Sequence, residues 1–270
     1  MKRRKSDLIT VSEVSEKFRN CGLFVMAERL EEMDRDGSLM SMTPLEAVDQ
    51  LISSHELSLQ NRISERYRKQ SKLYIPMANL ADIIYKPDRH INTALVDRLA
   101  TNEYIDRSYN VIISSASGCG KTFFACAFGN KACEHQYSVR YYTMTEFLDA
   151  CHIAKDKDKY LKFRKKLSNI NLIILDDFLL TSISLEEAEF LFQLFSERTK
   201  QDHRSFIICS QLTKKGMYEK LQALSPSLAD AIVNRLGSSA YDFGIEGRSM
   251  RELDIQAELE KQREIGRAHV

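Results

Sequence analysis

The 270-residue chain contains no tryptophan, four prolines and no internal repeat. No apolar run approaches the ~20 residues of a bilayer span, so a membrane helix is not expected. The basic start MKRRKSDLIT leads into no apolar segment, so a secretory signal is not expected either. Charge of one sign is missing too: 39 Lys+Arg against 38 Asp+Glu leave a net +1. Attraction to a polyanion must then come from local patches. The six cysteines, Cys21, Cys119, Cys126, Cys133, Cys151 and Cys209, form no C-x-x-C pair. They sit mostly inside apolar segments, as reduced thiols of a cytoplasmic protein do. What is present is ordinary for a soluble chain of one or two domains, with 43% hydrophobic and 29% charged residues. The final EIGRAHV reads either as a polar tail or as a frame running through a synthetic adapter, and it carries no functional argument.

Apolar spacing divides the chain. Residues 12 to 75 read as helical. Ser12 can cap a helix carrying Val14, Phe18, Cys21 and Leu23, and Met26, Leu30 and Met33 form a second apolar face ending near Gly37. Thr43-Pro44-Leu45-Glu46 is a helix start, with Thr at the N-cap, Pro at N1 and Glu at N3. The helix it opens carries Leu51, Ile52, Leu59 and Ile63 and runs to about Lys72. Residues 73 to 108 read as a connector with helical pieces around 80–84 and 93–99. From Asn110 the period changes. Short apolar runs at 111–113, 139–142, 172–175, 206–209 and 241–243 alternate with amphipathic helices near 121–134, 145–153, 185–200 and 227–236. This alternation predicts an α/β fold, a parallel sheet with helices on both faces, preceded by a small all-helical domain.

Between the first run and the first helix lies SSASGCGKTFF, residues 114–124. It fits the phosphate-loop pattern G-x-x-x-x-G-K-[ST] except that Ser115 stands at the first glycine. The loop backbone over Ser117, Gly118, Cys119, Gly120, Lys121, Thr122 and Phe123 would present N–H groups to phosphate at a helix N-terminus. Lys121 would reach the β- and γ-phosphates of ATP, and Thr122 would place its hydroxyl on Mg²⁺. Ser115 costs conformational freedom if its position needs positive φ. The run 171–177, NLIILDD, ends in two carboxylates, the first 55 residues after Lys121. A buried strand delivering acids at its carboxyl edge is the Walker B arrangement. Asp176 would hold Mg²⁺, and Asp177 would orient or deprotonate the attacking water. ATP and Mg²⁺ are thus the expected cofactors.

Several blocks together resemble the IstB/DnaC group of AAA+ ATPases, and within it the IstB-like helpers of insertion-sequence transposons. They are residues 22–30 (GLFVMAERL), 110–125, 173–178 (IILDDF), 205–212 (SFIICSQL), 228–236 (LADAIVNRL) and 247–251 (GRSMR). The resemblance runs from about Val11 to Leu253. It implies that Ser210, next to Gln211, reads the γ-phosphate. It implies that Arg235 acts as an arginine finger in a neighbouring subunit's ATP site, and that Arg251 is a second cationic sensor or an inter-subunit contact. For both arginines a surface salt bridge is the plainer alternative. Phe123-Phe124 departs from the family's His-Leu, and the connector offers no adenine-specific signature.

Two basic stretches remain. Arg62, Arg66 and Lys69 share a helix face at i, i+4, i+7. Residues 155–166 (KDKDKYLKFRKK) hold seven Lys/Arg against two Asp, with Lys159, Lys162 and Arg164 among them. Each stretch is either a solvated charged face, with Tyr160, Leu161 and Phe163 packed inward in the second, or a surface for DNA phosphates. The expected domains are 1–75, helical, for oligomer, DNA or partner contacts; 76–108, connector; 109–255, AAA+ ATPase; and 256–270, tail. The resemblance implies an ATP-dependent transposition helper: a homo-oligomer with ATP at subunit interfaces, duplex DNA, and a cognate IstA-like transposase as partner, with no membrane. A DnaC-like helicase loader and a DNA-binding scaffold that hardly hydrolyses ATP are the alternatives.

Overall fold

A computed structural model describes residues 9–85, 89–247 and 249. The chain divides into two compact units, Met1–Glu65 and Arg66–Val270. The expected connector 76–108 and the end of the expected helical domain therefore fold as part of the second unit.

In the first unit lie α1 (Val11–Asn20), α2 (Phe24–Arg35) and the opening of α3 (Pro44–Ser71). The cap of α1 is Thr10, not Ser12: Glu13 lies three residues after Thr10, and the two close a reciprocal capping box. The expected start of α3 is present, with Thr43 N–H donating to Glu46 Oε2 at 2.7 Å and Glu46 N–H donating to Thr43 Oγ1 at 3.3 Å. Leu30, Met33 and Leu51 form this unit's core, with Val11, Val14, Phe18 and Met26 packed against it.

The second unit is built on a five-stranded, all-parallel sheet. Its strands are β1 (Asn110–Ser114), β2 (Val139–Thr143), β3 (Leu172–Asp176), β4 (Ser205–Ser210) and β5 (Ala240–Gly244), in the order β2-β3-β4-β1-β5. The helices are α4 (Thr93–Ala100), α5 (Glu103–Asp106), α6 (Lys121–Glu134), α7 (Met144–Asp156), α8 (Tyr160–Ser168), α9 (Leu185–Arg198), α10 (Lys214–Gln222) and α11 (Pro226–Gly237). Side chains along a strand alternate between faces, and two cores result. Val111, Ile113, Leu172, Ile174, Ile207 and Cys209 join Phe124 and Phe128 of α6 and the connector's Leu73, Ala78, Val96 and Leu99. Ile112, Ile173, Leu175, Phe206 and Ile208 join Phe147 of α7, Leu191 and Phe195 of α9, and Ile232 of α11. Strands buried on both faces explain why these runs read as continuously apolar. Five of the six cysteines are buried, and burial raises Cys126 to about 11 and Cys133 and Cys151 to about 12.

At the amino ends of β3 and β4 a single buried cation joins several segments. Arg198, 1% exposed, donates from Nη1 to the Leu167 and Ile170 carbonyls and from Nη2 to those of Asn171 and Ser205, at 2.5–3.0 Å. Its guanidinium lies over the Phe206 ring, 4.6 Å from the centroid.

Candidate nucleotide-binding site

In an open parallel sheet, ligands bind outside the carboxyl ends of the strands, where the strand order reverses. Here β4 lies between β1 and β3, and the loop leaving β1 enters α6. At that edge lies a cavity of about 420 Å³ lined by Ser117, Gly118, Gly120, Lys121, Thr122, Phe123, Asp176, Asp177 and Gln211, with Tyr74, Ile75, Tyr141 and Thr143 completing the wall. The two halves of the predicted site, 55 residues apart, are brought together. Thr122 Oγ1 donates to Asp176 Oδ2 at 2.6 Å. The period of two along β3 accounts for this: Leu172, Ile174 and Asp176 face the side covered by α6, whose first turn carries Thr122.

The loop needs glycine at two positions only. Gly118 has φ +80 and Gly120 φ +97, and a Cβ on Gly118 would collide with the Ser249 side chain. Ser115 is not among the positive-φ residues, so its substitution for glycine brings no backbone strain. The Ser115 and Ala116 carbonyls each accept a hydrogen bond from Lys121 Nζ at 2.9 Å. Cys119 turns its side chain away from the cavity, its thiol 3.5 Å from the Gly247 carbonyl. The Cys119 carbonyl accepts from Arg89 Nη2 at 2.9 Å, and Arg89 Nη1 donates to Ile84. Sequence reasoning did not single out Arg89, because a lone arginine in a connector carries no pattern.

Both oxygens of Asp176 are engaged. Oδ2 also accepts from Tyr141 Oη at 2.9 Å, and Oδ1 accepts from the Asp177 N–H at 2.9 Å. Burial, followed by the nearby Asp176 carboxylate, pushes the Tyr141 hydroxyl well above its ordinary range, so it stays a donor. Asp177 is exposed and sits at φ +52, a left-handed backbone that Asp and Asn tolerate better than most residues. The hydroxyl and carboxylate of Thr122 and Asp176 are hard oxygen donors, the ligand class that Mg²⁺ takes. No cluster of three or more His, Cys, Asp or Glu among the described residues makes a protein-only metal cage.

Other expected residues fall elsewhere. Ser210 is fully buried and does not line the cavity: its Oγ donates to the Phe178 carbonyl at 2.8 Å and accepts from Leu212 N–H at 3.1 Å. The exposed neighbour Gln211 faces the cavity instead. Arg235, in the last turn of α11, is also absent from this cavity. Its Nη1 donates to the Ala231 carbonyl at 2.9 Å and its guanidinium lies 4.7 Å from the Phe192 ring centroid. Arg251 lies outside the described residues, as does EIGRAHV.

The basic stretches are sorted as well. Arg62 is exposed in the first unit, and Arg66 and Lys69 are exposed in the second. Lys159 and Lys162 are exposed, whereas Arg164 is held within the fold by Glu197 at 2.8 Å and Gln193 at 2.6 Å. Tyr160 and Phe163 pack inward, but Leu161 is 70% exposed. Within the second unit, the end of α3, the edge strand β2 and α8 enclose a groove of about 990 Å³. Lys69, Lys72, Arg140 and Lys166 line it with Tyr67, Tyr74, Tyr142 and Phe163, against the single acid Glu146. Arg140 and the tyrosines were not legible as a cluster, because only the fold brings them together.

The sheet order and the joined phosphate-loop and Walker B elements define a P-loop nucleotide-binding protein of the AAA+ class. Residues 17–257 match the family model described as IstB-like ATP binding protein, and the chain belongs to that family. Among its relatives are two Sinorhizobium fredii proteins named as insertion sequence ATP-binding proteins. One, y4pL, is 28% identical over 87% of this chain and 94% of its own length. The other, y4uH, is 32% identical over 74% and 78%. Among solved structures, AMPPCP-bound DnaA from Aquifex aeolicus superposes with a TM-score of 0.54 at 23% identity, over 69% of this chain and 55% of that one. DnaI superposes with a TM-score of 0.54 at 15% identity, over 63% and 91%. These structures share the fold. No helix among the described residues is long and apolar enough to cross a membrane.

Proposed function

We propose that this chain is a Mg²⁺-dependent ATPase that assembles on duplex DNA in the cytoplasm and recruits or stimulates a separate, IstA-like transposase. The observation that carries the ATPase reading is the Thr122–Asp176 contact at 2.6 Å, in a cavity that also holds Lys121 and Asp177. Lys121 draws charge from the β- and γ-phosphate oxygens. Mg²⁺ held by Thr122 and Asp176 would neutralise charge developing on the same oxygens. Asp177 orients the attacking water or takes its proton, and Gln211 is placed to contact the γ-phosphate. Arg235, outside its own chain's cavity, serves the site of an adjoining copy. The names of the insertion-sequence relatives support the transposition role. The groove of Lys69, Lys72, Arg140 and Lys166 supports contact with DNA phosphates, which positions DNA without reading sequence.

Two measurements test this reading. ATP turnover should rise on adding duplex DNA, and rise more steeply than in proportion to protein concentration. A preference for single strands would favour a helicase loader. Asp177→Asn should cut turnover by roughly a hundredfold or more while ATP still binds. Asn keeps the left-handed backbone accessible, so the loss reports chemistry and not strain. Turnover at the wild-type level in this variant would remove Asp177 from the mechanism. ATP binding without turnover in the wild type would leave the scaffold.

A further inference from the structure

We propose that Tyr141 is a positioning residue for the metal-binding carboxylate of Asp176. The inference rests on the ATP and Mg²⁺ reading above and assigns a role to a strand residue outside both nucleotide motifs.

The geometry comes from register. In the β2–β3 ladder Tyr141 pairs with Ile174 and Thr143 with Asp176, so Tyr141 and Asp176 lie on the same face two residues apart. Tyr141 is 5% exposed. Its hydroxyl reaches Asp176 Oδ2 at 2.9 Å, the same oxygen that Thr122 Oγ1 reaches at 2.6 Å. Its ring stacks on Tyr74, with centroids 6.4 Å apart and planes 22° from parallel. The hydroxyl thus ends a buried side chain held by packing on the edge strand β2, which suits a group that must hold a ligand in one orientation.

The two donors on Oδ2 differ in what they can do once a divalent cation is bound. Thr122 must then present an oxygen lone pair to the cation, so the direction of its remaining O–H is set by the cation as well as by Asp176. Tyr141 is under no such demand. Its hydrogen bond restrains Oδ2 independently of the cation, while the Asp177 N–H restrains Oδ1. Rotation of the carboxylate would break both bonds. With phenylalanine at 141 the packing remains but Oδ2 turns more freely, so the cation meets a less organised ligand.

The test is Tyr141→Phe, which removes one oxygen, with Tyr137→Phe as the control that removes a hydroxyl bonded to Asp106 outside the cavity. The readout is binding of a fluorescent ATP analogue, first in chelator and then across a Mg²⁺ titration, with the Mg²⁺ dependence of turnover as a second measure. Tyr141→Phe should bind the analogue in chelator within about twofold of wild type, and its half-saturating Mg²⁺ concentration should rise about tenfold. Tyr137→Phe should keep the wild-type Mg²⁺ requirement. An unchanged Mg²⁺ requirement in Tyr141→Phe overturns the proposal. So does an equal rise in both variants, which would assign the effect to the loss of any tyrosine hydroxyl, or an equal loss of binding in chelator, which would mean general loosening of the site. If wild-type binding of the analogue were itself indifferent to Mg²⁺, the underlying reading would fail first and the role of Tyr141 with it.

Discussion

Arg235→Ala should lower ATP turnover by roughly a thousandfold and leave ATP affinity where it was. The expectation follows from where the side chain sits. It is on α11, bonded to its own helix through the Ala231 carbonyl and stacked on Phe192, and it does not reach the cavity of its own chain. A cation in the last turn of a helix is favourable there whatever else it does, so its position alone does not separate a surface role from a catalytic one. Turnover does. A merely structural arginine costs stability and little else, whereas one that enters a neighbouring site is needed only as charge develops on the transferring phosphate. Mixing separates the two further. Arg235→Ala subunits keep an intact Lys121, Thr122, Asp176 and Asp177; Asp177→Asn subunits keep an intact Arg235. Equal amounts of the two should recover turnover that neither has alone, because some interfaces then join a complete site to a complete arginine. A mixture no more active than its components, or an Arg235→Ala protein within about threefold of wild type, would place Arg235 outside the reaction.

Arg198→Met should destabilise the second unit by roughly 4 kcal/mol, because it removes four charge-assisted hydrogen bonds to the carbonyls of Leu167, Ile170, Asn171 and Ser205, of which Leu167 and Asn171 keep a backbone donor. No carboxylate partners Arg198 among the described residues. Burial, with some repulsion from Arg204, disfavours its charge, and the ring of carbonyl dipoles and the face of Phe206 oppose that penalty. Methionine fills much of the volume and supplies none of the hydrogen bonds. Thermal unfolding followed by circular dichroism should show a midpoint lower by about 10 °C. A shift of under about 2 °C would mean that water or a neighbouring side chain replaces the lost donors at little cost.

The strands and most helices of the second unit were legible because burial on both faces makes the central strands β1, β3 and β4 continuously apolar, while the edge strands β2 and β5 carry aromatic residues around Arg140 and Asp242, and the five runs marked all of them to within a residue or so. The phosphate loop and Asp176 were legible because their spacing along the chain is fixed by a single strand-turn-helix and a single strand. What escaped depends on contacts distant in sequence. Helices α8 and α10 are short and rich in lysine, and their apolar stripes hold few residues: Tyr160, Phe163 and Leu167 in α8, Met217 and Leu221 in α10. Leu161 looked like a core residue and is exposed, because α8 packs through Tyr160 and Phe163. The first cap shifted from Ser12 to Thr10 because a capping box is set by the position of Glu13. Ser210 was expected at the γ-phosphate, yet its hydroxyl is taken by the turn after β3, a hydrogen bond that pairing along β4 does not reveal. Tyr141 and Arg89 enter the site only through the packing of β2 and of the connector, neither of which has a motif.

The groove and the nucleotide cavity have two residues in common, Tyr74 and Tyr141. A shared wall ties the two spaces together energetically to whatever extent an occupant of one moves those rings. Such linkage runs equally in both directions: the factor by which a polyanion in the groove tightens nucleotide binding is the factor by which nucleotide tightens the hold on the polyanion. If the groove takes DNA as proposed, its grip on that polymer would change with the ligand in the cavity, and release of one would become part of the affinity for the other.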